Sequence, residues 1–338
     1  MTRWEDVNAR ARGLSTHLLS AAQLQLVSRA QDVPTLTAEL RRLGFSLSGG
    51  GVCPPDELEL AVRRWASAAL ATLARWAGRR VTALAIIYED EDRKSLRAVL
   101  RGALCGAPAD ARLPGLIPTP TLPERALEEL ARQVSVAAVV TLLEVWGSPY
   151  GAALGAVARS AEPDPFAIDL ALDRTFAARA LSAARRGGPD LLAFVRESLD
   201  LANAETALLL ATAGRDVVPK DVFLPGGVRV SIVTFEEAAA AGGPGLAGVR
   251  LARAFAPSPL GAAFHDLGSD PNRLQDELLR LRVHELQQRA RLSPLGPAPV
   301  LWFALRLRAC VIDLQRIIWG AALRSPGADL ASSLVTAA

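Results

Sequence analysis

Three stretches, Tyr88–Gly106, Arg196–Gly214 and Leu301–Gly320, each read as the second helix of a helical hairpin. The first helices of those hairpins open on Pro55-Asp56, Asp164-Pro165 and Asp270-Pro271, which sets the three aspartates 108 and 106 residues apart. A unit that recurs at a near-constant interval means copies of one module, because each copy needs a neighbour to cover its apolar face. The expectation is an all-α chain of three helical modules, 1–116, 117–224 and 225–338.

Composition fits helices and excludes several classes. Half of the 338 residues are apolar and only 5% are aromatic. The dominant Ala, Leu and Arg are strong helix formers. A net charge of +3, with no concentrated basic stripe, argues against a dedicated nucleic-acid binder. Cys53, Cys105 and Cys310 are odd in number, far apart and without CxxC or Cys/His spacing. That points to reduced thiols in a cytoplasmic setting rather than a disulfide framework or a zinc site. Glu5, Asp6, Arg10 and Arg12 precede any apolar run, so no secretory leader is expected. Val134–Leu143 is too short to span a bilayer, and Ala298–Leu323 contains Arg306, Arg308, Asp313 and Arg316. A spanning helix needs about 20 mostly apolar residues.

Along the chain, Ser48–Gly51 is expected as a flexible loop, with Asp56–Arg79 and Val81–Cys105 as the first hairpin. Pro108, Pro114, Pro118, Pro120 and Pro123 forbid a regular helix over 107–123. Thr121 is expected to cap one helix running to about Trp146. Pro165–Arg186 and the helix opened by Pro189-Asp190 form the second hairpin. In the latter, Val195, Leu199, Ala202, Thr206, Leu209 and Ala213 are spaced as one packing seam. Phe223-Leu-Pro-Gly-Gly227 is the second linker, Thr234–Ala241 a short helix and Gly242–Gly245 a loop. Asn272–Arg289 then pairs with the last long helix, and the six tryptophans are assigned to the core.

Four segments carry a resemblance to a known family. They are Asp6-Val-Asn-Ala-Arg-Ala-Arg12 with Leu18-Leu19; Leu172-Asp-Arg-Thr-Phe176 with Asp200-Leu-Ala-Asn203-Ala-Glu-Thr206; Phe223-Leu-Pro-Gly-Gly227; and Leu314-Gln-Arg316-Ile-Ile318 with Gly320. In that order they resemble the C-subunit family of V/A-type rotary ATPases, whose eukaryotic counterpart is the d subunit. Asp92, Arg308 and Cys310 depart from the family's polar pattern. The resemblance implies three pseudo-threefold-related domains forming a funnel with a central cavity. It implies a non-catalytic rotor adaptor on the cytoplasmic face of the cell membrane. The partners would be the central-stalk subunits, received in the cavity, and the membrane proteolipid ring, with no cofactor.

The candidate residues are polar positions on the second helices. Asp200, Asn203, Glu205 and Thr206 recur in register with Glu89, Asp92, Lys94 and Ser95. Together with Arg97 they read either as exposed helix polarity or as groups that pack module interfaces or line a cavity. If buried, they must be paired. Glu89–Asp92 invites a magnesium reading, with Asp266–Asp270 as a second acidic run. Gly268 and Pro271 put that second run in a loop, and a magnesium site needs several oxygens converging on one octahedron. A solvated helix face is the preferred reading of Glu89–Lys94. Arg316 stands within an apolar face, so it is expected to pair with Asp313 or with a residue of another module. Arg79-Arg80, Arg185-Arg186 and Arg280–Arg291 lie near helix ends. There they suit the helix dipole, or contact with ring loops or anionic headgroups. His17, His265 and His284 are scattered, and no nucleophile, cofactor site or small-molecule substrate is expected. A stand-alone helical scaffold and a magnesium-dependent enzyme built on Asp90–Asp92 are the other readings.

Overall fold

Residues 4–47, 49–160, 162–213 and 217–336 are described by the computed structural model; Ser48 and Gly214 lie outside them. The described residues form seventeen α-helices and no strand. Three short helices come first: α1 (Glu5–Ser15), α2 (Ala21–Val27) and α3 (Val33–Arg42). The first long hairpin is α4 (Pro55–Ala77) and α5 (Val81–Leu104), followed by the single turn α6 (Ala109–Arg112). Next come α7 (Glu124–Ala131), α8 (Val136–Val145) and α9 (Pro149–Ala158), then the hairpin α10 (Pro165–Gly187) and α11 (Pro189–Ala213). The order repeats with α12 (Ile232–Ala239), α13 (Pro244–Phe255) and α14 (Pro259–Leu267), then α15 (Pro271–Leu292) and α16 (Ala298–Ala322); α17 (Gly327–Ser332) closes. Seven of these helices open on a proline. There the missing N–H forfeits no hydrogen bond and the fixed φ suits the first turn.

The packing runs head to tail. Helices α7 and α8 lie on α5, while α9 lies on α10; α12 and α13 lie on α11, while α14 lies on α15. Helices α1, α2 and α3 lie on α16, and α1 also lies on α4. Each trio of short helices therefore bridges the second long helix before it and the first long helix after it, and the last joint brings the chain back to its start. Two satellite cores sit under the trios α7–α9 and α12–α14. A larger core joins α1–α5 to α10, α11, α15 and α16.

Several expectations need correction. The helix expected from Thr121 to Trp146 is broken into α7 and α8. Ser135 caps the second piece by accepting from the Ala138 N–H at 3.2 Å, a local alternative that serine offers the backbone. The Thr121 hydroxyl bonds Asp92 instead of capping a helix. Helices α13 and α14 fill a region where only a loop over Gly242–Gly245 is expected; Pro244 and Pro259 start them. The seam on α11 does not run its whole length. Leu191, Val195 and Leu199 enter the large core, but Leu209 is 58% exposed. The second half turns Leu201, Ala204, Ala207 and Leu208 toward α12 and α13. The side chain of Ala213 lies outside the described residues. The glycine loop wraps the Arg41 guanidinium, which donates to the carbonyls of Gly49 and Gly51 at 3.0 and 2.5 Å. Of the tryptophans, Trp4 is buried, whereas Trp76, Trp146 and Trp319 are 46%, 39% and 43% exposed.

Candidate functional site

All six long helices wall one central cavity of about 450 Å³. Ile117 and Leu224, from the segments that follow α5 and α11, complete the wall. Nearest the hairpin turns the lining is apolar, with Ile86 and Ile87 on α5, Phe194 on α11 and Leu301 on α16. Charge gathers further along the same helices. Asp90, Glu91, Arg93, Lys94 and Arg97 are on α5, Glu205 on α11, Asp276 and Arg282 on α15, and Arg308 and Arg316 on α16.

These charges are arranged as pairs between helices. Arg93, Arg97 and Arg101 stand four residues apart on α5 and so share a face. They meet Asp169 and Asp173, also four apart, on α10. Arg93 and Arg97 reach Asp173 at 2.5 and 2.6 Å, Arg97 reaches Asp169 at 3.1 Å, and Arg101 pairs with Asp169. Arg93 also holds Asp90 at 2.7 Å and lies over the Phe176 ring. Lys94 bridges Asp90 and Glu91 at 2.7 and 3.1 Å. Glu91 also accepts from Arg308 of α16 at 3.0 Å. Arg282 of α15 donates to Ser198 of α11 at 2.7 Å and lies 3.4 Å from Glu197. Burial works to raise the Asp90 carboxyl, yet Lys94 and Arg93 hold it well below the usual carboxylate range. Glu205 differs from the rest. It has no hydrogen-bond partner among the described residues, and burial raises its pKa although Arg93, Arg282 and Arg97 face it.

A second set of carboxylates anchors the segments that follow each hairpin. Asp92 on α5 accepts from the hydroxyls of Thr119 and Thr121, both at 2.5 Å. Asp200 on α11 accepts from the backbone N–H groups of Val228, Arg229 and Val230 at 2.9–3.0 Å. Asp313 on α16 accepts from the N–H groups of Val335 and Thr336 and from the Thr336 hydroxyl, at 2.7, 3.0 and 2.6 Å. One turn along, Asn203 exchanges two 2.8 Å bonds with the Leu224 backbone, and Arg316 donates to the Ser333 carbonyl at 2.7 Å. Asp92, Asp200 and Asp313 thus share one role. The expected register, which aligned Glu89 with Asp200, is off by three residues. Phe223-Leu-Pro-Gly-Gly227 needs its second glycine, since a Cβ on Gly227 would collide with the Asp200 carboxylate.

The expected residues therefore separate. Lys94, Arg97, Glu205 and Arg316 line the cavity. Asp92, Asp200 and Asn203 hold the following segments and do not line it. Glu89 takes a two-pronged bond from Arg179 of α10 at 2.7 and 2.8 Å, away from the cavity. Arg185 and Arg186 are exposed at the end of α10. Arg316 pairs with Asp276 of its own hairpin at 2.7 Å, not with Asp313. The acidic run is not a solvated face: Glu91 and Asp92 are only 7% and 6% exposed. Its carboxylates answer to Arg93, Lys94, Arg179, Arg308 and two threonines. Among the described residues no cluster of His, Cys, Asp or Glu is placed to hold a metal ion. Sequence reasoning missed Arg93, Asp173, Asp276, Arg282 and Arg308. The one signal available was the matched i,i+4 spacing of Arg93, Arg97 and Arg101 with Asp169 and Asp173.

No helix of the described residues is long and apolar enough to cross a membrane. The A-type ATP synthase C subunit of Halorubrum lacusprofundi is 28% identical over 206 residues, which is 60% of this chain and 57% of that protein. Its namesake in Haloquadratum walsbyi is 26% identical over 206 residues, 60% of this chain and 58% of that protein. The alignment thus covers less than two thirds of the length of these relatives. The sequence model of the ATP synthase (C/AC39) subunit family matches residues 7–328, nearly the whole chain, and the chain belongs to that family.

Proposed function

We propose that this chain is a non-catalytic adaptor in the rotor of a V/A-type ATPase. It takes the foot of the central stalk into the cavity and passes torque to the membrane proteolipid ring, on the cytoplasmic face of the membrane. The observation that carries the reading is the cavity, walled by all three long hairpins and cross-braced by ion pairs. A helix with its side chains is about 10–12 Å across and rises about 5.4 Å per turn. A space of about 450 Å³ therefore suits the tip of one helix. Ion pairs that cross between helices resist the sliding and splaying that torque imposes. In this reading the chain is three modules, 1–116, 117–224 and 225–338. Lys94, Arg97, Glu205 and Arg316 face the stalk, and Asp92, Asp200 and Asn203 keep the modules in place.

Co-purification tests this. A tagged chain recovered from gently solubilised membranes should bring stalk subunits and a small proteolipid. Charge reversal at Arg97 and Arg308 should lose the stalk subunits first. Recovery of the chain alone, from cells whose ATPase is fully assembled without it, would overturn the proposal in favour of an independent scaffold.

A further inference from the structure

The three hairpin turns meet at one end of the molecule. Asn8 of α1 donates to the carbonyls of Pro294 and Gly296 in the α15–α16 turn at 2.9 and 2.8 Å. Asp6, also on α1, pairs with Arg80 in the α4–α5 turn. Gly296 lies against Asp190 at the α10–α11 turn, so that a Cβ there would be 3.2 Å from Asp190 Oδ2. Sequence places a basic run near each turn, and the fold brings the three runs to one face.

That face combines free positive charge with protruding apolar groups. Arg75, Arg185, Arg186 and Arg291 are exposed and have no ion pair among the described residues; Arg75 and Arg186 bond only hydroxyls of their own helices. Of the carboxylates nearby, Asp6 is taken by Arg80 and Glu285 by Arg289, while Glu5 and Asp190 are exposed without an ion pair among the described residues, so the four free arginines outnumber the free carboxylates. Trp76 is 46% exposed, with the Arg10 guanidinium 3.7 Å from its ring centroid. Leu292 and Leu295 flank the third turn, 87% and 65% exposed. Unpaired arginines suit phosphate oxygens, which they bind in two-pronged fashion. Tryptophan and leucine beside them suit the boundary between headgroups and acyl chains. An acidic protein surface would satisfy the arginines but would leave both leucines in water.

We infer that this end face is a docking surface for an anionic phospholipid bilayer. Arg75, Arg185, Arg186 and Arg291 contact headgroup phosphates, and Trp76, Leu292 and Leu295 enter the interface. The inference goes beyond the rotor reading and stands without it, because it concerns the chain and lipid alone.

The test is sedimentation of the purified full chain with vesicles. Phosphatidylcholine mixed with phosphatidylglycerol should carry the chain down; phosphatidylcholine alone should not, and added salt should weaken the binding. With each basic residue near the surface adding a roughly fivefold factor, Arg185→Gln with Arg186→Gln should lower partitioning about 25-fold. Leu292→Ser with Leu295→Ser should lower it as a second, uncharged lesion. Arg125→Gln, at an exposed arginine on α7, should leave it unchanged. Thermal unfolding confirms that each variant is folded. No binding to the anionic vesicles overturns the inference. So does equal loss in the Arg125 variant, or binding that polyglutamate matches and the leucine changes do not affect.

Discussion

Asp92, Asp200 and Asp313 do the same work with different donors, and the difference predicts different behaviour. Asp200 collects three backbone N–H groups, so Asp200→Ala leaves all three without their acceptor, and the Val230 donor in a buried residue. Charge-assisted bonds contribute roughly 1.5–3 kcal/mol each and are not additive, so the loss should be about 3 kcal/mol or more in urea unfolding. Gly227→Ala should cost stability too, by pushing the loop off the same carboxylate. Asp92 has only two hydroxyls and is buried beside Glu89 and Glu91. Burial, against the pull of Thr119 and Thr121, pushes its carboxyl up to about 7 from an ordinary 3.8. A folded-state pKa above the unfolded one gives stability that is complete at acid pH and lost as pH rises through about 7. Stability of the wild type relative to Asp92→Asn should therefore fall from about pH 4 to about pH 7 and level off above it, by up to a few kcal/mol in all. A flat difference across that range would show that Asp92 is ionised throughout.

At the scale of the helix, much was legible because the information is local. The hairpins show in apolar periodicity, and their starts show in Asp164-Pro165 and Asp270-Pro271, where each aspartate caps its helix. The α7–α8 break was not legible, because Ser135 interrupts a stretch whose other residues, from Glu124 to Trp146, are compatible with one helix. The site was half legible. Charged residues on α5 could be picked out, but Glu91 and Arg308 are 217 positions apart, and no periodicity within either helix reports the other. Interfaces between helices are where such pairs can be weighed. Arg97 and Asp173, at 2.6 Å with side chains 27% and 20% exposed, should show a coupling of about 1–2 kcal/mol in a double-mutant cycle with alanine. A surface pair such as Arg132 and Glu128, 3.4 Å apart with side chains 66% and 38% exposed, should give about 0.5 kcal/mol or less. Equal couplings would mean that the α5–α10 interface is as wet as the outer surface.

For the whole molecule, the three-module pattern and the location of the core point in opposite directions. The element order repeats, which suggests separable units. The core does not respect those units. Val7, Leu24, Leu36 and Leu40, all fully buried, share one cluster with Val300, Phe303, Cys310 and Ile317 of α16. Burying each large apolar side chain contributes about 1.5–3 kcal/mol, and a chain cut after residue 116 loses that cover for α1, α2 and α3. Native domains keep only about 5–15 kcal/mol of net stability, so the loss of a few such side chains is decisive. Residues 1–116 alone should therefore lack a cooperative thermal transition and near-ultraviolet dichroism, although α4 and α5 can retain helical signal. Mixing that fragment with residues 117–338 should restore both, because the missing face of α16 is supplied in trans. A cooperative transition in fragment 1–116 by itself would mean that the contacts between α1–α3 and α16 close the ring without stabilising it, and the modules could then move against one another under load.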